Sequence, residues 1–142
     1  MNRILVAAMV AAAAVAASSC GDASIKVSPP LFVTDTLPAN GATAPSVSLN
    51  VVAVAFSEAV DEGSLKDKIA LAQVTSFTDT GAGTAVAISL ESLSQDKLTA
   101  VYTIGAALNP GTYYRITVSK DGVKAVSGNA MAADVRHYFL TE

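Results

Sequence analysis

The sequence predicts an all-β fold: a β-sandwich of about seven antiparallel strands, preceded by a short apolar leader. Three observations carry this expectation. Seven short runs of strand-like composition recur along the chain, each bounded by Gly, Pro, Asn or Asp clusters. Behind the leader there is no long amphipathic helical stretch, so a parallel βαβ architecture is disfavoured. The domain expected behind the leader is about 110 residues long, a size at which two sheets can bury one face each against the other.

The leader spans residues 1–19. One basic residue, Arg3, precedes an apolar run from Ile4 to Ala17, and Ser18 and Ser19 follow. This is the order of an export signal: a positive start, an apolar centre and a small-residue cleavage site. Fourteen apolar residues rise about 21 Å as a helix, short of the roughly 30 Å of a bilayer's hydrocarbon core. A permanent membrane span is therefore the weaker reading.

Cys20 is the only cysteine, so it has no internal disulfide partner. The stretch AASSCG resembles the lipobox of bacterial lipoproteins, with Ala17 where that box usually has leucine. The resemblance implies that Cys20 is acylated and becomes the first residue of the mature chain. It would then hold the protein to a lipid bilayer, facing the periplasm or the cell exterior. Each buried CH₂ adds about 0.8 kcal/mol, so several acyl chains give stable anchoring. Ordinary secretion and an uncleaved anchor are the alternatives. Residues 20–30, ending in two prolines, read as a tether that reaches roughly 30 Å if extended. The folded domain is expected over residues 31–142.

Loss of Arg3 with the leader leaves eight Lys or Arg against twelve Asp or Glu, a net charge of −4. The charges are scattered, without a basic stripe. Nucleic acid is disfavoured as a partner, because phosphate binding needs concentrated positive charge.

The elements follow in order. LFVTDTLP opens the domain and stops at Pro38, and NGATAPS is a turn cluster. VSLNVVAVAFS, residues 47–57, is the strongest strand, apolar on both faces at its centre and so expected to be covered. EAVDEGSLKDK is an acidic turn with one 3₁₀ turn expected at Ser64–Lys66. IALAQVT is the next strand and SFTDTGAGT a loop. AVAISLESL, KLTAVYTI, TYYRITVSK and DVRHYFLT complete the seven, and DGVKAVSGNAMAA loops before the last.

Period-two alternation assigns the core. Phe56 shares a face with Val52 and Val54, and Tyr102 with Leu98, Ala100 and Ile104. Tyr114, Ile116 and Val118 point one way; Tyr113, Arg115 and Thr117 point the other. Phe139 lies with Val135 and His137, opposite Arg136, Tyr138 and Leu140. Tyr114 is placed to bury its ring and offer its hydroxyl to backbone near the start of its strand, the tyrosine-corner arrangement of sandwiches.

Three motifs then carry a family resemblance. The first is TLPANGATAPSVSLNVVAVAFSEAVDEGSL, with Pro38, Gly41, Ala42, Phe56, Ser57, Glu58, Val60, Asp61, Ser64 and Leu65. The second is ALNPGTYYRITVS, with Leu108, Pro110, Gly111, Tyr114, Ile116 and Val118. The third is GVKAVSGNAM, with Gly122, Val123, Lys124, Gly128 and Asn129. In this order they resemble bacterial Ig-like domains of the SbsA type over residues 36–141. Ala125 and Ala130 stand where the family usually has Asp and Pro, which predicts a less tightly hydrogen-bonded loop. The resemblance implies an immunoglobulin-like sandwich used as a stalk, spacer or adhesive module. Such a fold does not by itself define a function.

Candidate sites are few. The acidic turn offers Glu58, Asp61 and Glu62, with Asp67 nearby, as oxygen ligands for a weak Ca²⁺ site. It lacks the spacing of an EF-hand, and a solvated turn is the plainer reading. Asp121 and Asp134 flank the last loop. His137, the only histidine, reads as sheet packing. Tyr113, Arg115 and Tyr138 form a candidate binding face for an envelope protein or a glycan, with ordinary cross-strand packing as the alternative. No G-x-S-x-G and no phosphate loop occurs. The leading expectation is a non-enzymatic envelope module without a cofactor. A carbohydrate- or protein-binding lipoprotein comes second, and a small envelope hydrolase third.

Overall fold

The computed structural model describes residues 27–142. The leader, Cys20 and the tether up to residue 26 lie outside the described residues. The strands are β1 (Val33–Leu37), β2 (Ala42–Ala44), β3 (Val51–Phe56), β4 (Ile69–Val74), β5 (Thr84–Val86), β6 (Ile88–Leu93), β7 (Thr99–Ile104), β8 (Tyr113–Val118) and β9 (Val135–Thr141). A 3₁₀ turn spans Glu62–Leu65, starting two residues before the expected Ser64–Lys66 and ending one before it. Two sheets result, in the orders β1-β3-β7-β6 and β2-β9-β8-β4-β5.

Nine strands replace the expected seven, for two separate reasons. β2 forms inside the cluster read as a turn. Its three residues, Ala-Thr-Ala, carry no hydrophobic alternation, and its partner is the distant end of β9, which it pairs in parallel. All the other strand pairs are antiparallel. AVAISLESL divides at Ala87: β5 pairs β4 in one sheet, and β6 pairs β7 in the other. Val86 and Ile88 both pack against the core, so the period of two runs unbroken through the change of sheet. Gly105 N–H donates to the Ala87 carbonyl at 2.8 Å and pins this corner.

Between the sheets lies one core. Val52, Val54 and Phe56 from β3 and Ala100, Tyr102 and Ile104 from β7 meet Leu71, Tyr114, Ile116, Val118 and Phe139 of the second sheet. Leu31, Val60, Leu65, Leu108, Val123 and Met131 extend it from the loops. β3 is covered on its inner face only. Val51, Ala53 and Ala55 on its outer face are half-buried, with β1 and β7 as strand neighbours.

Tyr114 and Phe139 stack at 5.6 Å between ring centroids, and Asn109 N–H donates to the Tyr114 hydroxyl at 2.9 Å. That bond ties the loop before β8 to the core. The loop at 122–131 is also well tied. Asn129 Nδ2 and Ser127 Oγ both donate to the Glu58 carboxylate at 2.8 Å, and Ala125 N–H donates to the Asn129 carbonyl at 2.8 Å.

Candidate functional site

The candidate face on β8 and β9 is positioned as the alternation requires, but it is not open. After β4 the chain forms a loop, residues 75–83, built by short side chains that bond to nearby backbone. The Asp79 carboxylate accepts from Thr75 N–H at 2.9 Å, Thr75 Oγ1 at 2.8 Å and Gly81 N–H at 2.8 Å. These bonds, led by that from the Thr75 backbone, hold its carboxyl below the usual aspartate value. Gly83 closes the loop at φ +68°, where a Cβ would strike the Gln73 carbonyl.

The loop lies over the candidate residues. Arg115 Nη1 donates to the Asp79 carbonyl at 2.8 Å and Nη2 to the Ala82 carbonyl at 3.4 Å. Its Nε donates to Thr117 Oγ1 at 3.2 Å. The Tyr138 hydroxyl donates to the same Asp79 carbonyl at 2.9 Å. Phe77 meets Tyr113 edge-on at 4.9 Å. Arg115 is only 6% exposed. The expectation that Arg115 is free to meet a partner is therefore corrected: the chain's own loop takes two of its hydrogen bonds and Thr117 the third. The signal for this was the turn chemistry of SFTDTGAGT, but local sequence does not say which strands such a loop will cover.

The acidic turn is corrected likewise. Both oxygens of Glu58 accept bonds from the 122–131 loop, and these bonds, Asn129's first, lower its pKa. Glu62 belongs to the 3₁₀ turn, while the Asp61 backbone pairs with Lys124 and Ser64. Among the described residues no three His, Cys, Asp or Glu side chains are placed to hold a metal ion, so Glu58, Asp61 and Glu62 are not gathered into a ligand set. Asp134 Oδ1 accepts from Lys120 N–H at 2.9 Å, and Arg136 approaches its carboxylate at 3.9 Å.

His137 meets Thr36 of the opposite sheet, Nδ1 to Oγ1, at 3.0 Å. The Thr36 hydroxyl also lies 2.9 Å from the Pro38 carbonyl, which can only accept; with the hydroxyl proton given there, the tautomer with Nδ1–H completes the pair. Burial lowers the His137 pKa, and nearby Asp35 opposes that shift.

Two sheets in this order, with the tyrosine tied across the β8 corner, define an immunoglobulin-like sandwich. The family model for the bacterial Ig-like domain matches residues 27–141, and the chain belongs to that family. Several solved structures share the fold. The S-layer protein rSbsC(31-844) is 18% identical, with a TM-score of 0.58, over 79% of this chain and 14% of that one. CopC from Methylosinus trichosporium OB3b is 14% identical, with a TM-score of 0.57, over 79% of this chain and 93% of that one. PcoC, a copper resistance protein from Escherichia coli, is 13% identical, with a TM-score of 0.58, over 78% of this chain and 99% of that one. The chain thus spans about one seventh of the S-layer chain's length. No curated protein matches it in sequence.

Proposed function

We propose that the protein is a non-enzymatic structural or protein-interaction module of the cell envelope, held to a lipid bilayer through acylated Cys20. The family match carries this reading: it runs over residues 27–141 and so takes up nearly all of the chain behind the leader. The likeness to S-layer domains supports a spacer or adhesive use of the same sandwich. The side chains best suited to recognition, Arg115, Tyr138 and Glu58, are committed to the protein's own loops. A protein partner is favoured over a glycan by Phe32 and Val126, 52% and 60% exposed, which flank the Ser57–Ala59 segment through backbone bonds.

Two measurements test the reading. Cys20→Ser should block processing or release the protein from the membrane fraction; a signal-cleaved variant that stays with membranes overturns the anchor. In a glycan and envelope-protein screen of the purified protein, proteins should be retained and sugars should not. Saturable sugar retention would replace this function with carbohydrate binding.

A further inference from the structure

β6 is an edge strand, and its open edge borders a cleft. Among the described strands it pairs only with β7. Ile104 N–H donates to the Asn50 carbonyl and Gly105 N–H to the Ala87 carbonyl, both at 2.8 Å. Even-numbered residues of β7 therefore bond towards β3 and odd-numbered ones towards β6. Ile88 and Leu90 lie opposite Ile104 and Tyr102, so their own N–H and C=O groups point away from β7, off the edge of the sheet. Their side chains turn towards the core. The backbone groups on offer and the apolar wall thus belong to the same two residues.

On the facing sheet, β5 pairs β4 only from Gln73 to Leu71. Ser119 N–H donates to the Lys68 carbonyl at 2.9 Å, which turns the Ile69 backbone to the side that β5 has left. A cleft of about 600 Å³ opens between this end of β4, the 3₁₀ turn and β6, with Leu65, Ile69, Ile88 and Leu90 as apolar lining. Ile88 and Leu90 are half-buried, while Ser89 and Glu91 on the outer face are exposed. A bulge between Leu90 and Ser92 ends the flat stretch of edge. What remains is short, but β2 and β5 are themselves three-residue strands. An open edge beside an apolar cleft is the geometry of strand addition, in which main-chain bonds hold an extended segment and its alternate side chains fill pockets.

We propose that this edge receives residues 23–28 of a second copy of the chain, added to β6 as a strand. The segment reads ASIKVS: apolar Ala23, Ile25 and Val27 alternate with polar Ser24, Lys26 and Ser28. Side chains opposite Ile88 and Leu90 share their inward face, so Ile25 enters the cleft. Lys26 then lies on the outer face with Ser89 and Glu91. The rim favours a cation as well, since Glu62 and Asp67 outnumber Lys66 there. Pro29 and Pro30 have no N–H to give and end the added strand. The donor is a second copy because the chain enters its own sandwich before β1, at the other edge of the four-stranded sheet, three strand spacings or about 14 Å away. On that side its own Val27 is 83% exposed. The association does not rest on the envelope-module reading, since it needs neither an anchor nor a foreign partner.

The test combines sedimentation of the purified protein under reducing conditions, over a range of concentrations, with methyl NMR during titration of a synthetic peptide of residues 21–28. The protein should self-associate as concentration rises. The peptide should produce saturable shifts centred on Ile69, Ile88 and Leu90 and should compete the association away. Ile25→Asp, which lies before the folded domain, should weaken self-association by at least about 10-fold, the worth of one buried Ile side chain, and should still bind the unaltered peptide. Leu90→Lys should lose the peptide shifts; should it fail to fold, Ile25→Asp and the peptide carry the test. A protein that stays monomeric at every concentration overturns the proposal. So does self-association that Ile25→Asp leaves unchanged, or a peptide whose shifts centre on Phe32 and Val126 instead.

Discussion

Replacing Tyr114 separates what its ring does from what its hydroxyl does. The side chain is 2% exposed, stacks on Phe139 and accepts one hydrogen bond from Asn109 N–H. Tyr114→Phe removes only that bond, a loss of about 1 kcal/mol. Tyr114→Ala also empties the ring's volume and ends the stack. Large aromatic truncations in cores cost about 3–5 kcal/mol, of which a stacked pair accounts for roughly 0.5–1.5 kcal/mol beyond burial. The two variants should therefore differ by about 2–4 kcal/mol. For a domain of this size 1 kcal/mol moves Tm by roughly 4 °C or more, so the alanine variant should melt at least roughly 12 °C below the parent. Urea denaturation with an unchanged m value, read beside thermal melts, gives both numbers. Equal losses in the two variants would refute the reasoning, because the hydroxyl and not the ring would then be holding the corner. A loss under about 1 kcal/mol in Tyr114→Ala would refute the core assignment itself.

Arg115→Met keeps an unbranched stem and removes three hydrogen bonds, two of them to the 75–83 loop. We expect a loss of about 2–3 kcal/mol, from bonds made by a buried charged group, and faster hydrogen exchange at Thr75 and Gly81. Unchanged exchange there would mean that Arg115 does not hold the loop. For His137 the folded value is depressed, so the unfolded chain takes up a proton that the fold resists. Its contribution is complete above the ordinary histidine value near 6.5 and falls as pH drops towards the folded value. Stability should decline between pH 7 and 5, and His137→Asn should flatten that decline. The depressed carboxyls of Glu58, Asp79 and Asp96 titrate below this window. The same slope in the variant would assign the effect elsewhere.

Alternation was the most legible feature. It sets Tyr114, Ile116 and Val118 on one face of a six-residue strand, and the structure buries all three. It works there because one face of the strand meets the opposite sheet. It says nothing of β2, whose pairing comes from β9, nearly a hundred residues later. It also hides the change of sheet at Ala87, because the residues on both sides of the crossing face inward. The candidate site suffered most from this locality. Alternation places Tyr113, Arg115 and Tyr138 on an outward face, yet what lies on that face is a loop joined to it by bonds spanning 33–59 residues of sequence. Glu58 and Asn129 each stood within a motif of the family resemblance, but their contact, 71 residues apart, was not visible in either motif. Alternation places Tyr102 in the core, and its side chain is buried; that its hydroxyl has no partner among the described residues is a matter of tertiary packing, which no local pattern encodes.

The parallel pairing of β2 with β9 has a mechanical consequence. The chain enters the sandwich at Leu31, beside Met131, and leaves it at Thr141, beside Ala44. These points lie at opposite poles, separated by the length of β9, roughly 23 Å for seven residues. A pull applied between them loads the β1–β3 pairing first, and beyond it draws β2 backward and β9 forward along a common axis. The bonds between the two strands then bear the load together, in shear, instead of opening one after another like a zip. A module loaded in this direction resists extension through β1 and then through a three-residue strand whose one core side chain is Ala44.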